Sequence, residues 1–113
     1  IGCYPERNQL LIDAGALALS RDEGPRHVLP NCGYGAVLTA DGKSYLPELA
    51  IASLSQEHGK VYVRPDTEVS RFPVGTKLRV VPNHSCLAAA LFDRYHVYRG
   101  EELVDEWTPV RGW

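Results

Sequence analysis

The 113-residue chain is 44% apolar and 23% charged, a balance that suits a single soluble globular domain and argues against a disordered or membrane-embedded polymer. Twelve Lys and Arg against fourteen Asp and Glu give a formal charge of -2, and the basic residues are scattered, so neither nucleic acid nor an anionic membrane is expected as a partner. No apolar run approaches the roughly 18 residues that a membrane helix needs, and a secretory signal pattern is missing from the amino end.

The chain opens at Ile1 rather than Met, which suggests a piece of something longer or a processed product. Three cysteines, Cys3, Cys32 and Cys86, are an odd number without framework spacing. A reducing, cytoplasmic setting is therefore expected rather than a disulfide-stapled secreted fold.

Ten Gly and eight Pro cut the chain into short apolar runs: Gln9 to Asp13, Ala14 to Ser20, Tyr34 to Thr39, Leu49 to Ser55, Lys60 to Arg64, Lys77 to Val81, Tyr95 to Arg99 and Leu103 to Trp107. Their lengths and spacing predict an all-β fold, a small barrel or sandwich. Asp41-Gly42 and Arg99-Gly100 read as hairpin turns, because both glycines tolerate positive φ. Tyr95, Val97, Leu103 and Trp107 alternate with polar neighbours, the signature of a half-buried antiparallel pair.

One segment breaks the β rhythm. Three consecutive alanines flanked by leucines between Ser85 and Phe92 favour a helix of about two turns. Ser85 or Asn83 is expected to cap it, and its all-round apolar character predicts burial.

The candidate chemistry lies just before that helix. Pro82-Asn83-His84-Ser85-Cys86 sets an imidazole and a thiol two residues apart, both good zinc ligands. On an extended backbone this spacing points both side chains the same way, and a helix amino terminus favours the thiolate. Cysteine is also among the most buried residue types, so simple packing is the competing reading. A structural zinc site closes with four protein ligands; lacking a second Cys-rich or His-rich pair, the sequence leaves an open, catalytic type of centre.

Ser55-Gln56-Glu57-His58-Gly59 gathers a carboxamide, a carboxylate and an imidazole after a strand, either as substrate contacts or groups orienting a ligand, or as a polar turn closed by Gly59. Tyr34, between two glycines, offers a phenol or simply starts a strand. His27 and His96 read as surface or packing residues. Lys43, Lys60 and Lys77 flank turns and strands and lack the burial expected of a Schiff-base lysine.

Specific strings carry more than composition does. Asp13-Ala14-Gly15-Ala16-Leu17-Ala18-Leu19-Ser20, Ser55 to Gly59, Val81 to Cys86, and Phe92-Asp93-Arg94-Tyr95-His96-Val97 stand in the order found in the carboxy-terminal domain of the D-serine dehydratase and D-threonine aldolase family, which the chain resembles over nearly its whole length. The resemblance implies a fold-type III pyridoxal-phosphate enzyme with an alanine-racemase-like β-domain. In that reading, residues 1–113 are the carboxy-terminal domain, and an amino-terminal TIM-like barrel bearing the cofactor lysine is not part of this chain.

It further implies a homodimer, zinc held by His84 and Cys86, and Gln56, Glu57, His58 and Tyr34 near a D-amino-acid substrate. Members of the aldolase branch more often have a carboxylate in place of Cys86. The implied activity is therefore dehydration of D-serine to pyruvate and ammonia, with aldol cleavage of a β-hydroxy-D-amino acid, or a purely structural or dimerising role, as the alternatives.

Overall fold

The computed structural model describes residues 1–24, 27–28 and 33–111. Eight strands and two short helices appear among them: β1 (Gly2–Tyr4), β2 (Gln9–Ile12), α1 (Ala16–Leu19), β3 (Gly35–Thr39), β4 (Leu49–Leu54), β5 (Gly59–Val63), β6 (Leu78–Pro82), α2 (Ser85–Ala89), β7 (Tyr95–Arg99) and β8 (Glu102–Trp107). Single 3₁₀ turns at Pro5–Arg7 and Val69–Arg71 complete the regular structure. The all-β class holds, with the strands grouped into one four-stranded and two two-stranded antiparallel ladders rather than a closed barrel.

The larger sheet runs in the order β1-β2-β5-β4. In β5, Gly59, Val61 and Val63 are buried while Lys60 and Tyr62 face out, so period-2 alternation sorts one apolar face inward. The register then sets Leu10, Val61 and Ile51 side by side across three strands. Val61, Ile51, Val63 and Val37 are the largest side chains sealed completely from solvent, and each stabilises the fold by roughly 1.5–3 kcal/mol through burial.

Val37 comes from the second ladder, where β3 pairs with β6 and Val37 lies opposite Val80. The two ladders are joined where the Tyr34 amide donates to the Ile51 carbonyl at 3.0 Å. At Gly33 the backbone lies so close to Ile51 that an added Cβ would run into its carbonyl, and φ there is +58°. Only glycine meets both demands.

Three expectations need correction. The run from Ala14 to Ser20 contains a helical turn and not a strand, because Ala and Leu alternate as strong helix formers and the chain has a ready amino-terminal cap. The Ala16 and Leu17 amides donate to the Ser55 and Gln56 carbonyls at 2.9 and 3.0 Å, satisfying amides that a helix start leaves open. Gly15 permits this approach, since a Cβ there would collide with the backbone of Gln56 to His58.

The Asp41-Gly42 turn, with Gly42 at φ +73°, yields a single Leu38–Tyr45 bridge; the full partner of β3 is β6. Finally, α2 is shorter and less buried than its composition suggests. Its hydrogen-bonded turns run on to Phe92, yet only Ala88 is buried, while Leu87, Leu91 and Phe92 are 47%, 48% and 45% exposed. The helix lies against α1 and β6, and the Tyr95 hydroxyl of β7 donates to its Ala89 carbonyl at 2.9 Å.

The β7–β8 hairpin forms as expected, with Gly100 at φ +65° and a register shift between Val97 and Tyr98. Its inward face is shallow: Tyr95 and Val97 are half-buried, whereas Leu103 and Trp107 stay exposed. No helix among the described residues is long and apolar enough to cross a membrane.

Candidate metal centre

Strand β6 delivers Pro82 opposite Gly35, and the next two residues leave the ladder before α2 begins at Ser85. Neither Ser85 nor Asn83 caps the helix. The capping position falls to His84, extended at φ -130° and ψ 96°, without a side-chain cap bond. The Asn83 carboxamide is used elsewhere: its Nδ2 donates to the Gly33 carbonyl at 2.8 Å and to the Asp22 carbonyl at 3.3 Å. Asn83 thereby ties three segments that are far apart in sequence.

The Asp22 carboxylate completes this tie. Its Oδ1 accepts the Gly24 amide at 2.7 Å, and its Oδ2 lies 2.7 Å from His84 Nδ1. Both side chains are partly open to solvent, 42% for His84 and 36% for Asp22. The hydrogen bond from His84, followed by that from the Gly24 amide, holds the Asp22 carboxyl below the usual carboxylate range, against a smaller opposing effect of desolvation. An ionised carboxylate can only accept, so the 2.7 Å contact fits the tautomer in which Nδ1 donates and Nε2 is the acceptor nitrogen.

Cys86 lies two residues beyond His84, in the first turn of α2, and is a free, exposed cysteine. Because Ser85 already starts the helix, with His84 extended before it, the same-side argument for an extended i, i+2 pair does not apply. Imidazole nitrogen and thiol sulfur together are a donor set suited to zinc. Among the described residues, no group of three or more His, Cys, Asp or Glu side chains gathers as a metal site.

The remaining candidates are placed elsewhere. Gln56, Glu57 and His58 are exposed on the β4–β5 turn, which Ser55 closes by donating from its amide and hydroxyl to the His58 carbonyl at 2.9 and 3.1 Å. None of the three side chains shares a hydrogen bond or ion pair with Asp22 or His84 among the described residues. The turn nevertheless touches the Asp13–Ser20 segment directly, through the amides of α1.

Tyr34 is closer to the centre: its hydroxyl donates to Glu23 Oε1 at 3.1 Å, beside Asp22 in the chain. His27 is exposed in a turn, and His96 is exposed on β7 with Nε2 3.2 Å from Glu106. Lys43, Lys60 and Lys77 are exposed, and Cys32 lies outside the described residues. Sequence reasoning missed Asp22. Asp22-x-Gly24 signals only a local turn closed by the aspartate, and its partner His84 stands 62 positions away.

A family model described as "Putative serine dehydratase domain" matches residues 1–98. The chain belongs to this family. Relatives named D-serine dehydratase include one from Dictyostelium discoideum, 37% identical over all of this chain and 29% of its own length. The chain thus spans less than a third of that relative.

Among solved structures, an alanine racemase-like protein of Idiomarina loihiensis is 42% identical with a TM-score of 0.89, over all of this chain and 30% of that one. Two variants of a D-threo-3-hydroxyaspartate dehydratase, each 32% identical, superpose with TM-scores of 0.87 and 0.86 and are matched over 31% and 30% of their lengths. One replaces a cysteine by alanine and is in a metal-free form; the other replaces a histidine by alanine two positions earlier. The chain is thus a domain of the kind found in these dehydratases.

Proposed function

We propose that this chain is the metal-carrying domain of a zinc- and pyridoxal-phosphate-dependent D-serine dehydratase, with His84 and Cys86 as the zinc ligands. The observation that carries the reading is the His84 ring: Nδ1 is held by Asp22, Nε2 is left to bind, and a free thiol follows two residues later. The histidine and cysteine chosen for replacement in the D-threo-3-hydroxyaspartate dehydratase have that same spacing. Dehydratase names among the relatives favour elimination over aldol cleavage.

Zinc bound here supplies Lewis acidity toward a substrate hydroxyl, and pyridoxal phosphate supplies an electron sink for the carbon that loses its proton. The chain's own part is to hold ligand atoms in place at the mouth of the strand-to-helix bend. Tyr34, whose hydroxyl is anchored on Glu23, and Gln56, Glu57 and His58 are the side chains that we place toward the D-amino acid. The net conversion takes D-serine to pyruvate and ammonia, one water leaving and one entering. An amino-terminal barrel carrying the cofactor, with assembly as a homodimer, completes this reading, and a cytoplasmic setting accords with it.

The test is to treat the full-length protein with a chelator and assay it on D-serine. Ammonia and keto-acid formation should fall with zinc content and return when zinc is restored. Full activity in the zinc-free protein contradicts the proposal, and so does release of glycine plus an aldehyde in place of keto acid plus ammonia.

A further inference from the structure

The Asp22 carboxylate has a geometry that a local turn does not require. A turn closed by aspartate needs one oxygen, and Oδ1 meets that need by accepting the Gly24 amide at 2.7 Å. The second oxygen is thereby aimed at His84 Nδ1, also at 2.7 Å. The backbone around Asp22 is fixed as well: its amide donates to Ser20 Oγ at 3.2 Å, and its carbonyl accepts from Asn83, the residue before His84. Gly24, at φ +61°, lies so close to Asn83 that a Cβ would press on that side chain.

We infer that Asp22 is the positioning residue of the proposed metal centre: it fixes the tautomer and plane of the His84 ring so that Nε2, and not Nδ1, is the ligand atom. The inference rests on the His84–Cys86 reading and adds a residue that touches neither metal nor substrate. The physical basis is general. A ligating histidine whose other ring nitrogen donates to a carboxylate is a stronger base with a defined orientation, and removal of such a partner typically weakens metal binding by about 10- to 100-fold. Asn83 serves the same end through the backbone, holding the Asp22 and Gly33 carbonyls against the segment that bears His84.

The experiment is a titration of the metal-stripped full-length protein with zinc, and separately with cobalt(II), for wild type, Asp22→Asn, Asp22→Ala and His84→Ala. Zinc affinity should fall by about 10- to 100-fold in Asp22→Ala, by less in Asp22→Asn, which keeps one oxygen of the same reach, and below detection in His84→Ala. The thiolate-to-cobalt charge-transfer band should persist in both Asp22 variants, since the donor atoms are unchanged.

Wild-type zinc affinity in both Asp22 variants overturns the positioning role while leaving the His84–Cys86 centre standing. Loss of zinc from Asp22→Asn as complete as from His84→Ala, with altered ligand-field bands, makes Asp22 a ligand and overturns it too. Failure of the wild type to take up zinc removes the centre itself. Should Asp22→Ala not fold, Asp22→Asn decides the matter: weakened zinc binding at an unchanged metal-free Tm supports the inference, and unchanged binding defeats it.

Discussion

The two ends of this chain are built to different standards of packing. In β2, β4 and β5, the row Leu10, Val61 and Ile51 is sealed, and Val63 and Val37 close the same core. Beyond β6 the pattern changes. Every residue of β8 is exposed, Leu103 and Trp107 at 54% and 57%, and α2 buries only Ala88. The difference teaches that fold stability and candidate chemistry are separated: the dry sheet holds the architecture, and the donor atoms lie at its open margin where a ligand can enter.

The comparison can be broken most directly by substitution at matched apolar sites. Ile51→Ala should cost about 2–5 kcal/mol in urea unfolding of the chain, whereas Leu103→Ala should change it by less than about 0.5 kcal/mol. Comparable losses at the two sites would mean that the carboxy-terminal hairpin belongs to the core after all. A smaller effect sharpens the boundary between the regions. Gly33→Ala, which forces a Cβ toward the Ile51 carbonyl at a positive φ, should cost about 1–3 kcal/mol and loosen the Gly33 carbonyl that Asn83 grips. An unperturbed Tm in that variant would show that the joint between the ladders is more pliant than its geometry implies.

Much of the fold was legible in the sequence because glycine and proline punctuation and period-2 apolar runs are local signals. β2 to β8 follow from them, and so does the interruption at α2. The helix at α1 was not legible as such: Ala16 to Leu19 is too short to declare a period, and its cap comes from the carbonyls of Ser55 and Gln56, some forty residues away in the chain. The three-residue strand β1 has too few residues to alternate. The exposure of α2 escaped composition for a related reason, since an apolar helix shows its need for cover but not whether the described chain supplies it.

The site divides along the same line. His84 and Cys86 stand two positions apart and are chemically distinctive, so spacing and resemblance pick them out. Asp22 is neither, and only the folded chain brings its Oδ2 to His84 Nδ1. Gln56, Glu57 and His58 share a string with strong family resemblance, yet what the structure displays of that string is backbone: carbonyls that start α1 and a turn closed on Ser55.

The measurement that tests the central claim most directly is elemental analysis of the purified full-length protein beside its His84→Ala and Cys86→Ala variants. The account predicts about one zinc per chain in the wild type and little in either variant, with all three folded to the same extent. Equal metal content in the three proteins, or none in any, would contradict it.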